Sequence, residues 1–130
     1  MKPTTNEWIN AANDDLLAAK TLGSNNRLTN LAAFHCQQFL EKSFKAIIEE
    51  FENFTFKSHD LFRLQMTTKI ELTNYELQLL GTINEVYIDA RYPGDMGLLP
   101  NGKPTLHEID TFIQFCEDIQ YKVKLRLIGS

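Results

Sequence analysis

The chain has 130 residues, 43% of them hydrophobic, with nine phenylalanines and a formal net charge of −4. That much apolar material excludes a disordered chain and suffices for one domain, residues 1–130, with a real core. The acid excess excludes a protein whose whole surface grips a nucleic-acid backbone, while leaving room for a local basic groove.

The opening MKPTTNEW lacks the apolar segment of a signal peptide, and no apolar run approaches membrane length. The expectation is a soluble, cytoplasmic protein without a membrane partner. Thr4-x-x-Glu7 matches a capping box, in which a hydroxyl and a carboxylate satisfy unpaired backbone N–H groups. It predicts a first helix with Trp8, Ala12, Leu16 and Ala19 on one stripe, ending near Gly23. Adjacent Asp14 and Asp15 lie about 100° apart on it and read as a solvated face.

Asn25 and Asn26 can cap a second helix, which has no Gly or Pro before about Phe51. Its apolar arc is broad: Ala32, Cys36, Phe39, Leu40, Ser43, Ala46, Ile47 and Phe51, extended by Phe44 and Ile48. His35, Gln38, Lys42, Lys45 and Glu49 share the other face, with Glu41 at its edge. His35 reads as a surface-edge histidine, and Glu41–Lys45 as an ordinary pair one turn apart. Gln37 projects on the apolar side, where an amide needs partners, and is expected to cap or bridge a neighbouring helix or to sit in a partner-facing groove. An arc wider than one neighbouring helix covers also predicts a second copy of the chain.

Ser58-His59-Asp60 opens a short third helix with Leu61 and Leu64 inward, Asp60 serving as its cap. A second capping box, Thr73-x-x-Glu76, starts a fourth helix running to about Ala90, with Leu80, Ile83 and Tyr87 aligned. The residue before a proline is pushed out of the α region, so Tyr92, before Pro93, should end it. A long loop, 91–104, follows, with turn signals at Pro93-Gly94 and Asn101-Gly102. A third capping box, Thr105-x-x-Glu108, starts a fifth helix to about Leu127, whose Lys122, Lys124 and Arg126 complement the helix dipole. No period-two strand pattern occurs. The fold class is therefore all-α: an up-and-down four-helix bundle with an additional short helix. Cys36 and Cys116 read as buried thiols, no Cys-x-x-Cys or His-x-x-x-His pairing exists, and neither a metal nor a cofactor is expected. The sequon Asn53-Phe54-Thr55 reads as chance.

Arg91 and Tyr92 suit an anionic or aromatic ligand, since a guanidinium grips phosphate bidentately and a tyrosine ring stacks on a base. The alternative is an ion pair of Arg91 with Asp89 or Asp95, and Tyr92 as packing.

AFHCQQFLEKSFKAI, then SHDLFRL, then YIDARYPG resemble the HEPN domain, the higher eukaryotes and prokaryotes nucleotide-binding domain, and EWINAANDDLLAAK resembles its first helix. The resemblance covers essentially the whole chain. It implies a helical bundle that commonly forms a homodimer, with a cleft near the dimer or partner surface. Many members act beside small nucleotidyltransferases in toxin–antitoxin or nucleotide-handling systems, and others are ribonucleases. The ribonuclease signature is an arginine, four to six residues, then a histidine. Here the first histidine after Arg91 is His107, so the signature is absent. The expectation is a non-catalytic protein that binds a nucleotide or an RNA end through Gln38, Lys42, His59, Arg91 and Tyr92, with a nucleotidyltransferase-type partner. The alternatives are a metal-independent ribonuclease toxin, using Arg91 with His107 or His59, and a module that binds only protein.

Overall fold

The second helix is the axis on which the others pack, because its apolar arc is too wide for one neighbour. A computed structural model describes residues 1–54 and 56–129; Thr55, the third residue of the sequon, and Ser130 lie outside them. The helices are α1 (Pro3–Leu22), α2 (Thr29–Phe51), α3 (Leu61–Thr68), α4 (Asn74–Asn84) and α5 (Leu106–Ile128). Phe39, Leu40, Phe44 and Ile47 of α2 are buried among α1, α3, α4 and α5. The arc is thus covered within the chain, and it no longer supplies a reason for a second copy.

The helices alternate in direction. The Thr4 and Thr5 hydroxyls of α1 donate to Glu49 and Glu50 at the far end of α2, so the two run antiparallel. The start of α5 lies by Arg27 and its end by Phe51, so α5 runs parallel to α2. Lys122 of α5 reaches Glu76 at the start of α4. The Cys116 thiol of α5 donates to the Cys36 carbonyl of α2 at 3.8 Å; both cysteines are buried and free, and burial pushes the Cys116 thiol up.

The expected capping boxes at Thr73 and Thr105 are both formed. The one at Thr4 is not. α1 begins at Pro3, whose missing N–H and fixed φ suit a first helical position, so Thr4 is already inside the helix. Asn25 caps a 3-10 turn at Asn26–Leu28, and α2 starts only at Thr29. Asp60 caps α3 as expected.

The largest departure is the end of α4, which stops at Asn84 rather than near Ala90. The Asn84 side chain is engaged elsewhere: its carbonyl accepts from Leu61 N–H at 2.9 Å and its amide donates to Asp60 at 3.1 Å, tying α4 to the head of α3. Beyond it, Val86 is buried and Ile88 packs against the core, while Tyr87 between them is exposed. The segment is a turn followed by bends, with the Tyr87 backbone bonded to Leu98 and Gly97. Pro93 therefore does not end the helix, and the connection runs from Glu85 to Thr105.

Candidate functional site

The polar side of α2 carries two buried carboxylate centres, each gripping one histidine and one lysine. In the first, Asp15 of α1 lies 2.8 Å from His35 Nδ1 and accepts from Lys42 Nζ at 2.7 Å. Its side chain is only 9% exposed, so the solvated face expected for both aspartates holds for Asp14 alone. Asp14 faces outward, and Asp15, about 100° further round the helix, turns in against α2. His35 is accordingly a paired residue rather than a free surface histidine.

In the second centre, Glu41 is 6% exposed and accepts from Lys45 Nζ at 3.0 Å and Gln37 Nε2 at 3.2 Å, with His59 Nδ1 at 3.0 Å. Burial raises the carboxyl, but the hydrogen bonds from Lys45, His59 and Gln37 prevail and hold it below its ordinary 4.5. Gln37 also accepts from Gln38 Nε2 at 2.7 Å, so its amide is satisfied within α2 and bridges to no other helix. The Lys45 ammonium additionally lies 5.6 Å over the Trp8 ring. Both histidines spend Nδ1 on a carboxylate, which leaves Nε2 for other partners. His59, 60% exposed, presents it to solvent.

Arg91 and Tyr92 lie on a closed excursion of the 85–105 connection. Its neck is made by backbone bonds: Tyr87 N–H donates to Leu98 O at 3.0 Å and Gly97 N–H to Tyr87 O at 2.8 Å. The Asn30 side-chain amide donates to Met96 O at 2.9 Å and fixes the neck to the start of α2. Within the excursion the Arg91 guanidinium lies 5.8 Å over the Tyr92 ring, and Tyr92 is 62% exposed. Among the described residues Arg91 forms no ion pair, so the alternative pairing with Asp89 or Asp95 is not made.

The five sequence-predicted residues thus fall into three places. Gln38 and His59 belong to one hydrogen-bonded chain through Gln37 and Glu41. Lys42 belongs to the Asp15 centre, and Arg91 and Tyr92 sit together on the excursion. The excursion follows the Asn84–Asp60 tie and closes at a neck held beside Asn30, at the start of α2. His107 is not with Arg91; it lines a cleft with Arg27 and Lys103. Asp15 and Glu41 were missed as site residues. The available signal was Gln37, an amide on an apolar face one turn before a glutamate.

The HEPN domain family model matches residues 5–125. The chain belongs to the HEPN domain family. Its fold is similar to that of ST0689, an archaeal HEPN homologue of known crystal structure, with 26% identity and a TM-score of 0.62 over 95% of this chain and 97% of that one. No curated protein matches it. HEPN domains are of nucleotide-binding and ribonuclease type. Among the described residues no His, Cys, Asp and Glu grouping could hold a metal ion, and no helix is long and apolar enough to cross a membrane.

Proposed function

We propose that this HEPN chain is a non-catalytic nucleotide-binding protein that takes a nucleotide or an RNA end at the Arg91–Tyr92 excursion. The observation that carries this reading is an exposed guanidinium, unpaired with any carboxylate among the described residues, beside an exposed aromatic ring on a segment pinned at its neck. Arginine supplies the phosphate fork and tyrosine a stacking face. His59 and Gln38, linked through Glu41 and Gln37, are the further polar groups assigned to the site, and Lys42 belongs to it as a lysine neutralised by Asp15 rather than as an anion contact. Family membership supports action beside a nucleotidyltransferase-type partner in a toxin–antitoxin or nucleotide-handling system. A homodimer is part of the same reading. The exposed ridge Tyr121, Leu125 and Ile128 on α5 is the apolar surface for it, and a monomer by light scattering at micromolar concentration removes that part.

The test is a thermal-shift titration with a nucleotide panel and a short RNA, wild type beside Arg91→Ala. Ligand binding to the folded state raises Tm by mass action. A shift in the wild type alone supports the site. A variant that unfolds without ligand makes Arg91 structural and removes it.

One observation favours the ribonuclease reading as second choice. Glu41 holds His59 by Nδ1 and leaves Nε2 outward, the arrangement a histidine acid–base needs. Cleavage of a short RNA that His59→Ala abolishes would replace the first reading with this one.

A further inference from the structure

The connection that carries Arg91 ends in a second feature. Between the 3-10 turn before α2 and the start of α5 lies an open cleft of ≈ 880 Å³, lined by Asn25, Asn26, Arg27, Lys103, Leu106 and His107 among others. No acidic residue lines it, although the chain carries 17 acids against 13 Lys and Arg. Its basic side chains come from two stretches distant in sequence, 25–27 and 103–107. The Lys103 ammonium is held in place, donating to the Arg27 backbone carbonyl at 2.7 Å, which joins the two basic residues at one point. The Arg27 and His107 side chains form no ion pair among the described residues. The backbone N–H groups of Thr105 and Glu108 are already taken by the capping box, so those two do not serve an anion.

The other basic cleft differs on this point. It is lined by Lys69, Lys122 and Arg126, but Glu71 lines it too, Lys122 is bound to Glu76 and the Glu71 carbonyl, and Arg126 lies over Phe51. Its charge is largely spent within the protein.

We infer that the Arg27–Lys103–His107 cleft binds a phosphate ester, as a second contact for the ligand taken at Arg91. The choice of a nucleotide phosphate rests on the proposed function; the anion site rests on the cleft itself. Arg27 offers a bidentate fork, Lys103 a fixed point charge and His107 a ring donor or stacking face. Because the connection leads from Arg91 to Lys103, a strand engaged at the excursion has the cleft next along the same segment, whereas a mononucleotide engages one site.

The experiment is an amide-resolved NMR titration of the whole chain with pyrophosphate, then a mononucleotide, then a short single-stranded RNA. It compares wild type with Arg27→Gln/Lys103→Gln and with Arg91→Ala. Expected are shifts at Asn26, Arg27, Lys103 and His107 with millimolar pyrophosphate, lost in the double variant. For RNA, the double variant lowers the slope of log affinity against log salt by about 1.4, two contacts at roughly 0.7 each on a single strand. Shifts with pyrophosphate but not RNA mean a free phosphate ligand and leave the anion site standing. Cleft amides that stay still with all three ligands, or that shift equally in the double variant, overturn the inference. If Arg91→Ala abolishes nucleotide binding while the cleft amides never respond, the proposed function stands and the inference falls. If the cleft responds and Arg91→Ala changes nothing, the reverse holds.

Discussion

Glu41 is the residue whose removal tests the reading of α2 most directly. Its carboxylate is 6% exposed and holds Gln37, Lys45 and His59. Glu41→Ala leaves the Nε2 donor of the fully buried Gln37 without its acceptor, which costs about 1–3 kcal/mol. It also leaves Lys45, 13% exposed, without its anion. Breaking a buried pair from one side costs about 3–5 kcal/mol. The Lys45 term falls below that range because the ammonium keeps the Trp8 ring and some water. His59, mostly exposed, turns to solvent at little cost. The sum is about 3–5 kcal/mol, a large share of the roughly 5–15 kcal/mol that holds a domain together. At roughly 4 °C per kcal/mol for this size, Tm falls by about 12–20 °C. The assay is thermal unfolding followed by far-ultraviolet circular dichroism and by Trp8 fluorescence, which senses Lys45 directly. Glu41→Gln keeps the shape and one acceptor and loses about 1–2 kcal/mol, and His59→Ala less than about 1 kcal/mol. A Glu41→Ala protein that melts within about 3 °C of wild type would refute the claim that this centre secures the bundle.

The remaining predictions concern pH, a glycine and the caps. The Glu41 and Glu76 carboxyls are both held below 4.5: burial raises each, and is outweighed at Glu41 by Lys45, His59 and Gln37, and at Glu76 by the Thr73 N–H and Lys122. Lowered folded values mean stability that is complete above 4.5 and lost as pH falls below it, so urea midpoints should drop there, and less so in Glu41→Gln/Glu76→Gln. Gly97 has φ +81°, and a Cβ on it would run into the Asn30 carbonyl. Gly97→Ala should therefore release the neck of the excursion at a cost of at least about 1–3 kcal/mol, seen as lost amide protection at Tyr87 and Leu98 with α2 intact. Thr105→Ala should cost about 1 kcal/mol as a lost cap, whereas Thr4→Ala removes no cap and loses only the exposed hydrogen bond to Glu49, so its circular dichroism melt should shift less.

The bundle was legible because helix signals are local. Capping boxes at Thr73 and Thr105, the aspartate cap at Asp60 and the α2 arc all act within one or two turns of chain, and all are formed. Most of what failed depended on contacts distant in sequence; the Thr4 box, pre-empted by Pro3, and Gln37, satisfied within α2, are the local exceptions. Tyr87 fits the helical stripe of Leu80 and Ile83, but the side chain of Asn84 is drawn to Leu61 and Asp60, and the chain leaves the helix behind it in a turn and bends. Asp15 looked like one of two solvated acids until His35 and Lys42 arrive across the α1–α2 contact. Glu41 looked like half of an ordinary surface pair, since its other partner, His59, comes from beyond the end of α2. Of the candidate site, the Arg91–Tyr92 pairing is visible in sequence as adjacency; its detachment from α4 is not.

The two carboxylate centres also decide where anion recognition can reside. Lys42 and Lys45 are each within 3.0 Å of a buried carboxylate, so a phosphate reaching either must displace an anion that the fold already holds in low dielectric. Arg91 and Arg27 face no such competitor among the described residues, and both stand on connecting segments rather than on the bundle. The molecule thus separates its charges by task. Acids and lysines along α2 neutralise one another and fix α1 and the head of α3 against it, while arginines on the connections stay free to meet a ligand. Loss of an α2 group should therefore appear first as loss of stability, and loss of a connection arginine first as loss of binding at unchanged Tm.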